Sequence, residues 1–139
     1  MAALAGVTFF ADENCLGMAR CLLKEGRDDV VHPGHVLLPD VPLGCPDLEW
    51  MATIARHDLV VLTRDRRIRT RPAELTGYRS QGLRVVFLAG KTDRRPSEQA
   101  ALFLRHETRL RREMVKRGPG PWALTMSERD LRPIDLPDN

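Results

Sequence analysis

Residues 59–65 read Leu59-Val60-Val61-Leu62-Thr63-Arg64-Asp65, and this stretch decides the fold. Its apolar run lacks the polar alternation of a half-solvated strand. That is the pattern of a strand buried on both faces, as in a parallel sheet. An arginine and a carboxylate follow at once. Upstream, Asp47–His57 (DLEWMATIARH) sets Leu48, Met51, Ile54 and Ala55 at helical spacing, with Asp47 after Pro46 in the place of an N-cap. Downstream, Pro72–Ser80 suits a short helix, and Arg84–Leu88 (RVVFL) suits a fourth strand closed by Ala89-Gly90.

The same alternation extends to both ends. Val7–Ala11 is the first expected strand, and Asn14 caps a helix over Cys15–Glu25 with Leu16, Ala19, Leu22 and Leu23 on its apolar face. Gly26 ends that helix and Asp29–His32 forms a short second strand. Pro33, Pro39, Pro42 and Pro46 make residues 32–46 a loop, long for a compact domain. Toward the C-terminus, Ser97 caps a long helix to about Lys116, without the acidic partner of a capping box because position 100 is Ala100. Gly118–Pro121 stops the helix and Trp122–Met126 (WALTM) reads as a fifth strand. Residues 1–126 then form one domain, and residues 127–139, rich in Pro and Asp, a C-terminal tail. Strands alternating with helices predict an α/β fold whose central, mostly parallel sheet of about four or five strands is covered on both faces. In such sheets the working site lies at the carboxyl ends of the strands.

Composition narrows the function classes. With 42% apolar and 29% charged residues among 139, the chain is neither disordered nor membrane-embedded, and no apolar run nears the roughly 18 residues that a spanning helix needs. The apolar N-terminus lacks a basic segment and runs straight into charge, so no signal peptide is expected and the cytoplasm is the expected location. Cys15, Cys21 and Cys45 match no zinc spacing and read as free thiols of a reducing compartment. Charge is uneven along the chain. Residues 1–63 carry 4 Lys/Arg against 9 Asp/Glu, and residues 64–117 carry 16 against 6. An acidic half beside a basic half suits a protein that holds cations and binds a polyanion.

The strand-end rule selects the candidates. Asp12 and Glu13 follow strand one, Asp65 follows strand three, and Asp47 with Glu49 opens the helix before strand three. If strands one and three are neighbours, Asp12 and Asp65 share one crevice. Capping competes as a role for Asp12 and Asp47, and a plain turn for Asp65. Clustered carboxylates repel one another, and a divalent cation relieves that conflict. Hard oxygen ligands favour Mg²⁺ or Mn²⁺. Arg64, Arg66, Arg67, Arg69 and Arg71 flank Asp65, where a phosphate backbone would pass, and Arg105, Arg109, Arg112 and Lys116 form a stripe on the last helix. Trp50 reads as core. His32 and His35 in the long loop are minor candidates for substrate contact.

Two runs resemble PIN-like domains. FFADENCLGMARCLL (Phe9–Leu23) resembles their first segment, where a strand ends in Asp-Glu-Asn and a helix begins. CPDLEWMATIARHDLVVLTRDRRI (Cys45–Ile68) resembles their middle segment, an acidic helix start followed by a strand ending in Thr-Arg-Asp. The two come in family order, and RVVFLAG also fits. The similarity is closest to bacterial PIN-like proteins grouped with the VapC-type toxins of toxin–antitoxin pairs. The resemblance implies a three-layer α/β/α fold and an Mg²⁺- or Mn²⁺-dependent endoribonuclease. It maps the first family aspartate onto Asp12, the helix acid onto Asp47 or Glu49, and the aspartate after strand three onto Asp65, so that Asp12, Asp47 and Asp65 hold metal while Glu13 or Glu49 assists. For the fourth acid of many PIN domains the candidates are Glu74 and Asp93, and neither sits at an obvious match. The partners to expect are an RNA substrate, a small antitoxin protein and a second copy of the chain in a homodimer, with no membrane. Two rival readings remain: a catalytically weak or inactive PIN-like RNA-binding module, and a phosphatase-type phosphoryl-transfer enzyme that leaves RNA intact.

Overall fold

A computed structural model describes residues 4–64, 72–89 and 94–136. One sheet contains β1 (Phe9–Ala11), β2 (Val30–Val31), β3 (Val60–Thr63), β4 (Arg84–Leu88), β5 (Trp122–Met126) and β6 (Leu131–Ile134), in the order β2-β1-β3-β4-β5-β6. The first five strands are mutually parallel, and β6 runs antiparallel beside β5. The helices are α1 (Leu16–Lys24), α2 (Asp47–His57), α3 (Pro72–Ser80) and α4 (Pro96–Arg117). No helix among the described residues is long and apolar enough to cross a membrane.

Successive side chains of a strand point to opposite faces, and the core divides accordingly. Phe9, Val60, Leu62, Val86 and Leu124 pack with Met18 and Leu22 of α1 and Phe103 and Leu110 of α4. Phe10, Val61, Val85 and Phe87 pack with Trp50, Met51 and Ile54 of α2 and Tyr78 of α3. The result is three layers, with α1 and α4 on one face of the sheet and α2 and α3 on the other. All four residues of β3 are buried, as its unbroken apolar run requires.

The ends of elements depart from expectation. Asn14 is not the cap of the first helix: a 3₁₀ turn over Glu13–Cys15 precedes α1, and Asp12 caps that turn. Asp47 is not an N-cap either. It is the first helical residue, behind Pro46, whose fixed ring and missing N–H suit the entry to a helix. Ser97 is likewise inside α4, which starts at Pro96. Glu98 accepts a hydrogen bond from the Arg95 N–H at 2.9 Å and closes that helix start. The buried face of α2 contains Trp50 in place of Leu48, which is half exposed. The strands expected over Val7–Ala11 and Asp29–His32 shorten to Phe9–Ala11 and Val30–Val31. The largest difference is at the C-terminus. Residues 131–134, expected in a tail, pair with β5 as β6. Leu131 and Leu136 are buried, and Arg79 donates to the Leu136 carbonyl. Pro133 is tolerated because β6 is an edge strand and needs no donor on its outer side.

Candidate active site

β1 lies between β2 and β3. The helix after β1 covers one face of the sheet and the helix after β3 covers the other. Between the carboxyl ends of β1 and β3 the sheet therefore opens a crevice, the place where parallel sheets carry ligands. Asp12 stands on its β1 side. Its N–H donates to the Leu62 carbonyl at 2.9 Å, which holds it in register with β3. Its side chain is 6% exposed. Oδ1 accepts from the Glu13 N–H at 2.6 Å and Oδ2 accepts from Thr63 Oγ1 at 3.1 Å. Asp12 is therefore both the cap of the 3₁₀ turn and one member of a bridge between two strands. Asn14 completes the bridge. Its Nδ2 donates to Thr63 Oγ1 at 3.3 Å, and its Oδ1 accepts from the Arg64 N–H at 3.1 Å. The chain thus leaves β3 against Asn14.

Asn14 and Thr63 belong to the Asp-Glu-Asn and Thr-Arg-Asp runs, but reading those runs for acids passes over them as members of the candidate site. The available signal is a polar residue closing an apolar strand just before Arg64-Asp65. Asn14 is no longer needed as a helix cap once the 3₁₀ turn opens α1, and its side chain serves the bridge instead.

Three further acids are placed by the end of the long loop and the start of α2. Glu13 Oε1 accepts from the Gly44 N–H at 2.6 Å and ties the loop to the first strand. The Cys45 thiol is pushed up by burial first and then by the carboxylates of Glu49, Asp47 and Glu13. Asp47 is also structural. Its Oδ1 accepts from the indole Nε1 of Trp50 at 2.9 Å, and that ring packs on Phe10 in the core. Glu49 is exposed. His32 and His35 stack edge to face with centroids 5.0 Å apart, and His35 Nδ1 accepts from the Leu37 N–H.

Asp65, Arg66, Arg67, Arg69, Arg71 and Asp93 lie outside the described residues, as does the side chain of Glu74. Among the described residues no three His, Cys, Asp or Glu side chains come together as metal ligands. The donors that face the crevice are nevertheless of the right kind. The oxygens of Asp12, Asn14 and Thr63 are hard ligands that suit Mg²⁺ or Mn²⁺. The nearby sulfur of Cys15 is held protonated because burial, and then the charge of Asp12, pushes its thiol far up. The stripe expected on α4 is exposed at Arg105, Arg109, Arg112 and Lys116.

Comparison with curated proteins and with solved structures gives no match. A family model described as a PIN like domain matches residues 7–90, from just before β1 to just after β4. That span holds Asp12, Glu13, Asp47, Glu49, Asp65 and the Thr63 bridge. PIN-like domains are commonly nucleases, which points to nuclease-type chemistry in general. More than half of the chain is matched, across the strands that build the crevice, and the chain belongs to the PIN-like domain family.

Proposed function

We propose that this protein is an endoribonuclease that hydrolyses RNA phosphodiester bonds at the crevice between β1 and β3, with Asp12, Asp47 and Asp65 holding Mg²⁺ or Mn²⁺. One observation carries the reading: a buried aspartate at a strand end, fixed by the last residue of the neighbouring strand, two residues before a second aspartate in sequence. A bound divalent ion supplies a water of lowered pKa and charge to offset that of the attacked phosphate. The residues do the rest. Thr63 and the Glu13 N–H orient the Asp12 carboxylate so that it needs no reorganisation on binding. Glu49, or Glu13 once released from Gly44, accepts the proton of the attacking water. Arg64, Arg66, Arg67, Arg69 and Arg71 bind backbone phosphates and position the strand without reading its bases.

The biological setting that fits is the toxin of a toxin–antitoxin pair, cytoplasmic, blocked by a small antitoxin and active as a homodimer. The resemblance of Phe9–Leu23 and Cys45–Ile68 to PIN-like domain segments, read as nearest to those grouped with VapC-type toxins, supports it. A second reading, an RNA-binding module with little or no turnover, draws on Asp47 and Glu13, whose carboxylates already hold Trp50 and Gly44.

One assay separates the two. Purified protein is incubated with end-labelled RNA in Mg²⁺, in Mn²⁺ and in chelator. Metal-dependent cleavage that disappears in Asp65→Asn is the expected result. RNA bound but never cut, with either metal, favours the second reading, and release of phosphate from small esters with RNA left intact favours a phosphatase.

A further inference from the structure

A cavity of about 580 Å³ opens where the chain enters α4, and none of residues 12–14 or 63–64 lines it. Arg94, Arg95, Ser97 and Arg105 line it, together with Glu98 and Glu128. Arg94 and Arg95 follow β4, and Glu128 follows β5, so the cavity faces the same edge of the parallel sheet as Asp12. The two places are joined through their helices. A Cβ on Gly17, in the first turn of α1, would lie 2.7 Å from Cγ of Pro96, the first residue of α4. Only a glycine lets the two helix starts come this close.

Arg94 is the telling residue. Its side chain is 8% exposed, and its one ion pair among the described residues is a 3.8 Å contact with Glu128, whose side chain is 65% exposed. That distance is too long for a hydrogen bond. A guanidinium stays charged and carries five donors, and burying it without close partners is costly. The other acid of the cavity, Glu98, accepts from the Arg95 N–H at the start of the helix. Arg105 reaches the Glu128 carbonyl, at 3.2 Å. Three arginines and two glutamates therefore line the space, and Glu128, the acid nearest Arg94, is loosely held and solvated.

We propose that this cavity is a phosphate subsite, in which Arg94, Arg95 and Arg105 grip a backbone phosphate of the RNA away from the bond that is cut. The proposal rests on the ribonuclease reading and adds to it a further point of attachment for the strand. Guanidiniums bind phosphate oxygens through paired, charge-assisted hydrogen bonds. Ser97 adds a hydroxyl. Glu128 occupies the place of the anion when RNA is absent and swings to solvent when it arrives.

The test measures binding of fluorescent single-stranded RNA to the full chain in chelator, so that cleavage does not enter. Arg94→Gln and Arg105→Gln are each expected to weaken binding on the order of tenfold, equally for unrelated sequences, and to make the salt dependence shallower by roughly 0.7 in slope per lost contact. Glu128→Gln is expected to tighten binding. Arg105 and Glu128 are exposed, so those two variants carry the test even if Arg94→Gln fails to fold. Inorganic phosphate should compete with RNA in the wild type and less in Arg105→Gln. Phosphate that binds the cavity while RNA affinity is indifferent to all three substitutions overturns the RNA assignment in favour of a free phosphate. Unchanged RNA affinity and slope in both Arg105→Gln and Glu128→Gln, with no binding of phosphate, removes the subsite altogether. If the variants lose RNA binding as expected but the wild type cleaves no RNA with Mg²⁺, the subsite stands and the nuclease reading fails.

Discussion

Thr63 Oγ1 donates to Asp12 Oδ2 across 3.1 Å, a link between neighbouring strand ends made by residues 51 positions apart in sequence. It fixes the orientation of a carboxylate that is almost wholly buried. The backbone alone would not do this, because χ1 and χ2 of an aspartate at a strand end are free unless something holds them. In a metal site, such outer partners set the geometry of the ligands.

Thr63→Val keeps the shape and removes the donor. A hydrogen bond to a charged group contributes about 1.5–3 kcal/mol, so denaturant unfolding should show a loss in that range. Cleavage should fall by about 10–100-fold, with Thr63→Ser restoring most of it. A valine variant that cuts RNA at the wild-type rate would show that the bridge is structural only.

Asp12→Asn separates charge from shape. The amide oxygen can still accept from the Glu13 N–H, and the amide nitrogen can donate to Thr63 Oγ1, so the turn and the bridge survive. Stability should stay within about 1 kcal/mol of wild type. Cleavage should drop to the level seen in chelator. Retained metal-dependent cleavage, with a normal unfolding curve, would mean that the site lies elsewhere.

The parallel sheet was legible because a parallel strand leaves an unmistakable trace: LVVLT, RVVFL and WALTM are buried on both faces and cannot sustain alternation. Asp12 at a strand end was legible for the same reason, since the end of an apolar run is visible in one dimension. The bridge to Thr63 was not, because it depends on β1 lying beside β3, and pairing between segments so far apart has no local signature. Asn14, Asp47 and Ser97 are not helix caps, for one shared reason. Each is a good capping residue, but a 3₁₀ turn or a proline had already opened the helix. β6 was missed because Pro133 argues against a strand everywhere except at a sheet edge. The cavity at the start of α4 leaves no trace in the sequence: Arg105 reads as one residue of an exposed helix stripe, and Arg94 and Glu128 lie 34 positions apart.

Acid stability should depend on Asp29, at the opposite end of the sheet from the crevice. Asp29 pairs with Arg27 at 2.9 Å and with Arg111 at 2.8 Å, and Glu107 pairs with the same two arginines. Burial alone would raise the Asp29 carboxyl, but the hydrogen bond and charge of Arg27 outweigh it and hold the group below its usual range. A depressed folded-state pKa gives stability that is present above the unfolded value, near 3.9, and lost as pH falls through the folded one. Asp29→Asn should therefore be less stable than wild type at pH 7, and the two should converge in acid. Thermal unfolding from pH 7 to about pH 2 checks this, and a constant gap between the curves at every pH would contradict it.

Cys45 offers a probe of the acids that needs no RNA. Its thiol is raised by burial and then by Glu49, Asp47 and Glu13. The thiolate is the species that reacts with an alkylating reagent. Below the thiol pKa, each unit is worth about tenfold in thiolate, so even a fractional change is measurable as a rate. Removing negative charge lowers the pKa, and Glu49→Gln should speed alkylation of Cys45 near pH 8. Mg²⁺ added to the wild type should act in the same direction if it binds near Asp47 and Glu49, and it should have a smaller effect in the Glu49→Gln protein. Cys15 is the internal control. Burial, reinforced by Asp12, keeps it protonated and out of reach of the reagent, so it should stay unlabelled until the protein unfolds. Peptide mapping assigns each label. A Cys45 rate indifferent to both Glu49→Gln and Mg²⁺ would show that these carboxylates neither govern the thiol nor gather a cation beside it.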